Sequence, residues 1–164
     1  MLIVAGVVIA LMAMNWLPLM LQKDTLRRYD SIEDVKIELN WKGLLVPSYF
    51  PNNITWPPRE ILAQNKPYPA VFFKFNHADS GDVVLTVSQS ASPKFSADSV
   101  IKIVQVRERV PYTLKGRSSV LEVGLCEKDE PCSRISWKEG IYSMTITMRS
   151  PPFELIKIAD SMLR

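Results

Sequence analysis

Tyr142-Ser143-Met144-Thr145-Ile146-Thr147-Met148-Arg149 alternates bulky apolar and polar side chains without a break. Successive residues of a strand point to opposite faces, so Tyr142, Met144, Ile146 and Met148 share one face and Ser143, Thr145, Thr147 and Arg149 the other. Such alternation predicts an antiparallel sheet with one face covered and the other wet. Just upstream, Arg134–Trp137 predicts a partner strand across Lys138-Glu139-Gly140, where Gly140 can take a positive φ.

Working outward, Ala70-Val71-Phe72-Phe73-Lys74-Phe75 and the run from Asp82 to Gln89 are β-branched and aromatic. They are joined by Asn76-His77-Ala78-Asp79-Ser80-Gly81, which is turn chemistry, and predict a second hairpin. Val100–Val110 and Ser118–Cys126 are further candidate strands. Downstream, Ser150-Pro151-Pro152-Phe153-Glu154 starts a helix with Ser150 as its cap, and Leu155, Ala159, Met162 and Leu163 fall on one stripe. Upstream, Ser31 and Asp34 have capping-box spacing, and Ile32, Val35 and Leu39 predict a short amphipathic helix over about 31–39. The expected class is α+β: a mainly antiparallel sheet of about five or six strands, with a short N-terminal helix and a C-terminal helix packed on one side.

The N-terminal run has a different chemistry. From Leu2 to Leu21 no side chain is charged, and at about 1.5 Å per residue twenty residues reach about 30 Å, the thickness of a bilayer core. The expectation is an uncleaved, single-pass transmembrane helix, since the run lacks the basic start and small-residue cleavage site of a signal peptide. The domains expected are a transmembrane anchor at 1–21, a juxtamembrane linker at 22–30 and one α+β domain at 31–164. Lys23, Arg27 and Arg28 are the membrane-proximal basic residues, read either as solvated linker charges or as contacts for anionic headgroups.

Two signals disagree on orientation. Basic residues that only follow the run would hold the domain in the cytoplasm. Cys126 and Cys132, the only two cysteines, flank Glu127-Lys128-Asp129-Glu130-Pro131 and suit a disulfide, which persists in an oxidising compartment. Because long domains translocate largely regardless of charge, the cysteines decide, and the bulk of the chain is expected on the extracytoplasmic side.

From Pro47 to Pro69 the chain carries six of its twelve prolines, which rules out a regular helix or central strand there and predicts a stiff, extended excursion. Its aromatics Tyr49, Phe50, Trp56 and Tyr68 are the candidate partner or ligand surface, because rigid aromatic rings supply contact area at low entropy cost. Packing of this loop over the sheet is the plainer alternative.

The tail Trp137-Lys138-Glu139-Gly140-Ile141-Tyr142, followed by a strand and by Pro152-Phe153-Glu154-Leu155-Ile156-Lys157-Ile158-Ala159-Asp160-Ser161-Met162, resembles a bacterial membrane-anchored domain family of uncharacterised function. Its members end in a tryptophan hairpin and an "ELIKIAESL"-like helix, and are similar to domains of anti-sigma-factor-like envelope proteins. The resemblance covers about the last thirty residues. It implies an envelope setting and this fold, and brings no catalytic residues with it.

The charge pattern limits what the chain does. Twenty basic and seventeen acidic side chains leave a net of +3, mixed along the sequence, without the clustered basic stripe that nucleic-acid binding requires. His77, the only histidine, sits with Asp79, Ser80 and Asp82 in one turn, too close in sequence to orient each other as a triad. The two cysteines and one distant histidine cannot supply the ligands of structural zinc, and the Glu127–Glu130 carboxylates lack a calcium-loop pattern. No catalytic, cofactor-binding or metal residues are expected. Lys102, Arg107, Arg109, Lys115 and Arg117 read as a charged sheet edge that discourages aggregation, with a partner-facing edge as the sharper alternative. The function expected is therefore a non-enzymatic envelope module that binds or senses another envelope protein. The second reading is a carrier or sensor of an apolar, lipid-like ligand in a pocket between Met144, Ile146, Leu155 and Ala159.

Overall fold

The computed structural model describes residues 26–93, 95 and 100–163. Eight strands form one sheet: β1 (Arg27–Tyr29), β2 (Glu60–Gln64), β3 (Ala70–Asn76), β4 (Val83–Ser90), β5 (Ile103–Leu114), β6 (Arg117–Cys126), β7 (Pro131–Glu139) and β8 (Tyr142–Met148). Their spatial order is β1-β2-β3-β4-β8-β7-β6-β5, and every neighbouring pair is antiparallel. Two meanders of four strands thus meet through β4 and β8. The helices are α1 (Ile32–Glu38) and α2 (Pro152–Met162).

The sheet is larger than the five or six strands expected. Six of the eight overlap the candidate strands of the sequence; β1 and β2 are the additions. Glu60–Gln64 is a proline-free window inside the proline-rich stretch, and its pairing with β3 overrides the local proline density. Arg27–Tyr29 falls in the segment expected as a linker and pairs with β2 as the edge strand.

The transmembrane, single-pass architecture is also corrected. Among the described residues no helix is long and apolar enough to cross a membrane. The longest, α2, has 11 residues, about 16 Å at 1.5 Å per residue against the roughly 30 Å required. The run expected as the anchor, Leu2–Leu21, lies outside the described residues, as does Lys23.

Strand register builds one apolar row across the sheet. Tyr29, Ile61, Phe73, Val87, Ile146, Ile135, Leu121 and Val110 stand opposite one another in turn. Helix α2 covers this face over β7 and β8, burying Leu155, Ile158, Ala159 and Met162. Toward β1, Ile32 and Val35 of α1, with Trp41 and Leu44 beyond it, complete the same cluster. The α1 cap is as the sequence predicts: the Asp34 amide donates to Ser31 Oγ at 3.1 Å, and the Ser31 hydroxyl to Asp34 Oδ2 at 2.7 Å. The α2 cap differs, for Pro151 occupies the cap position and makes no side-chain cap bond. Ser150, expected there, uses its carbonyl to accept from Ser133 Oγ at 2.9 Å.

One backbone feature depends on a single glycine. Register shifts in β5 between Ile103 and Gln105 and between Val106 and Glu108 mark bulges against β6. A Cβ at Gly124 would lie 2.0 Å from the Gln105 carbonyl oxygen, so only glycine admits the bulged edge at this distance.

Candidate functional site

The connection from β4 to β5 runs from the middle of the sheet to its far edge. Its described residues Phe95 and Ile101 sit on the face opposite the helices. Phe95 lines a cavity of about 340 Å³ with Phe72, Thr86, Ser88, Thr145, Thr147, Ser136, Arg134, Glu122 and Arg109. Ile101 packs on Cys126 and Cys132, with Val83 and Ile103 beside them, in a small second core. The two cysteines are bonded to each other, their α-carbons 5.6 Å apart. Arg149 links the two parts of this corner: Nη2 donates to the Val100 carbonyl at 3.5 Å, and Nη1 lies 3.7 Å from Glu130.

Within the cavity the polar groups hold one another. Glu122 stands between Arg134 at 3.4 Å and Arg109 at 3.6 Å. Arg134 Nε donates to Thr147 Oγ1 at 3.3 Å, and the Ser136 and Thr145 hydroxyls are 3.2 Å apart. This is a fixed charge ladder set by strand register, with no nucleophile poised against a base. Among the described residues no group of three or more histidine, cysteine or carboxylate side chains is placed to hold a metal ion. His77 closes the β3–β4 turn: Nδ1 accepts from the Asp79 amide at 3.2 Å, while its own amide donates to the Asp82 carbonyl at 2.8 Å.

The aromatic set Tyr49, Phe50, Trp56 and Tyr68 is divided among three places. Phe50 and Trp56 pack together at 5.2 Å and both meet Phe75 of the covered face, at 5.0 and 6.3 Å, yet Trp56 stays 54% exposed. Tyr49 is tied to α2, its hydroxyl donating to Glu154 Oε2 at 2.7 Å. That bond raises the tyrosine pKa, and the same carboxylate, bonded first by Lys157 and then by Tyr49, is held below the usual carboxylate range. Ser48 reinforces the tie, its Oγ donating to the Ser161 carbonyl at 2.9 Å. Tyr68 instead meets Phe95 edge-on at 6.3 Å. Of the membrane-proximal basic residues, Arg27 lies 3.6 Å from Glu38 and Arg28 stands beside it on β1.

Met144, Ile146, Leu155 and Ala159, between which an apolar pocket was the second expectation, are fully buried in one cluster, and none lines a described cavity. The most exposed organised surface is β5. It ends the sheet, is paired only with β6 among the described residues, and is exposed from Val104 through Pro111. Val104, Val106 and Val110 are 62%, 49% and 40% exposed, interleaved with Arg107, Glu108 and Arg109. The Arg107–Arg109 charges were legible in the sequence as a sheet edge; the exposure of the valines among them was not. The Arg134–Glu122–Arg109 ladder was not legible at all, because it joins three strands by register.

Compared with known proteins, the chain matches no family model, no curated protein and no solved structure.

Proposed function

We propose that this domain is a non-enzymatic binding module that takes an extended, acidic and apolar segment of a partner protein as an added strand along β5. The observation that carries this reading is the β5 edge: a 12-residue strand whose outer backbone groups have no strand partner among the described residues and whose valines face solvent. Edges in natural sheets are blunted by charge, bulges and shortness. This edge has charge and bulges, but it is long and leaves Val104, Val106 and Val110 exposed, the chemistry of strand addition. Lys102, Arg107 and Arg109 outnumber Glu108 along it, and this favours acidic side chains in the partner. The buried packing of Met144, Ile146, Leu155 and Ala159 favours this module over a carrier of an apolar ligand.

A synthetic peptide alternating valine and glutamate, compared by fluorescence anisotropy with one alternating valine and lysine, tests it. The glutamate peptide binds and the lysine peptide does not. Val106→Lys with Arg107→Glu weakens binding by roughly tenfold or more, about 1.4 kcal/mol, and leaves thermal unfolding unchanged because both side chains are exposed. Equal binding of the two peptides, or indifference to the variant, overturns the proposal. So does self-association in sedimentation that Val106→Lys abolishes, since the occupant would then be a second copy of the chain.

A further inference from the structure

At the other end of the sheet's polar face, β1, β2 and β3 bring together three cations and one carboxylate. Arg28 lies on β1 opposite Leu62, and Lys74 on β3 opposite Glu60. Arg59, just before β2, donates its amide to the Lys74 carbonyl at 2.9 Å and Nη1 to the Gly81 carbonyl at 3.3 Å. With Val83 and Val100 these four side chains line a cavity of about 290 Å³.

The charges do not cancel. Glu60 is engaged by Lys74, which also lies 5.8 Å from the Phe72 ring centroid and so is fixed from two sides. Among the described residues the Arg59 side chain is steadied only by a neutral carbonyl, and the Arg28 side chain makes no ion pair or hydrogen bond. Three cations against one carboxylate leave an excess of two positive charges around one cavity, walled on one side by two valines. The 340 Å³ cavity of the same face, with Arg109 and Arg134 against Glu122, has an excess of one.

We infer that this cavity is a binding site for a phosphoryl dianion, presented by a small phosphomonoester or by free phosphate. Guanidinium forks match tetrahedral oxyanions with paired N–H donors, and Arg28 and Arg59 supply two such forks beside a fixed ammonium. The charge excess equals that of the dianion, and Val83 and Val100 offer an apolar wall to the carbon part of an ester. The site is separate from the β5 edge and stands independently of any partner bound there.

Titration calorimetry at constant ionic strength, with inorganic phosphate and with glycerol 3-phosphate as probes, tests the site. Both bind above about pH 7, where the second phosphoryl ionisation with pKa about 6 is complete, and affinity falls as the pH drops below it. Tighter binding of glycerol 3-phosphate assigns the site to esters, and tighter binding of inorganic phosphate to the free ion. Arg28→Gln combined with Arg59→Gln weakens either probe by roughly tenfold or more, with the thermal midpoint unchanged because both side chains lie at the surface. Lys74→Met provides a second variant in which the loss persists at an unaltered far-ultraviolet dichroism spectrum. Absence of heat with both probes, or affinity that survives the double substitution, overturns the inference.

Discussion

The two faces of this sheet are built from alternate residues of the same strands, yet they are organised by different forces. On the covered face, Phe73, Val87, Ile146 and Ile135 stand side by side under the helices with almost no exposure. One residue along each strand, Lys74, Thr86, Thr147 and Arg134 form the neighbouring row, continued by Glu122 and Arg109. The first row stabilises through apolar area removed from water, the second through hydrogen bonds whose net worth is far smaller. The pleat thus separates the two kinds of stabilisation: a change on the polar face can alter its hydrogen bonds without dismantling the apolar core.

Adjacent residues of β8 give the sharpest way to break this comparison. Ile146→Ala should cost about 2–5 kcal/mol, the range for truncating a buried aliphatic side chain. Thr147→Val keeps the volume and removes only the hydroxyl that accepts from Arg134, at a cost of about 1 kcal/mol. Urea unfolding of both variants measures the ratio. Equal losses would mean that the polar row carries the fold as much as the apolar one.

The second test falls on the polar face's own small core. Replacing Cys126 and Cys132 together by Ala removes a bond that closes a loop with a sequence separation of 6. The chain-entropy estimate for so short a loop is roughly 2 kcal/mol. Urea midpoints of the oxidised protein and the double variant should differ accordingly. Faster amide exchange at Ile101, which packs against the pair, would locate the loss at the corner where the connection to β5 returns to the sheet. No difference would place the corner's stability in the Arg149 contacts instead.

What the sequence discloses follows the same division. The alternation of Tyr142–Met148 declares both faces, and the Asp82–Gln89 run and the stripe of α2 follow from equally local patterns. β1 and β2 escape because three residues beside a polar segment, and five between prolines, carry too little periodicity to announce a strand. Their pairing with β3 is a tertiary choice. The Ser150 cap fails because the following prolines shift the helix start by one residue. The candidate sites are hardest to see: Arg134, Glu122 and Arg109 are brought together by register, and Arg28, Arg59 and Lys74 by neighbouring strands. No spacing along the chain encodes either set. The exposure of the β5 valines is not legible for a related reason, since a strand's place in the sheet order decides whether its second edge meets a neighbour.

The smallest effect expected lies at the rim of the covered face, where Arg117 and Glu139 form a close charged pair between β6 and β7. The hydrogen bond from Arg117 holds the Glu139 carboxyl below the usual carboxylate range, against the opposing pull of partial burial. A carboxylate with a lowered folded-state pKa contributes stability that is fully present above its unfolded value, about 4.3 for Glu, and is lost as the pH falls through the folded value. Wild type should therefore exceed Glu139→Gln in urea midpoint from about pH 5 upward, and the gap should close on acidification below about pH 4. High salt should also narrow it, because both side chains are about one-third exposed. A gap that instead widened in acid would mean that Glu139 is stabilised in its protonated form, by burial rather than by Arg117. The rim would then belong energetically to the apolar face it borders.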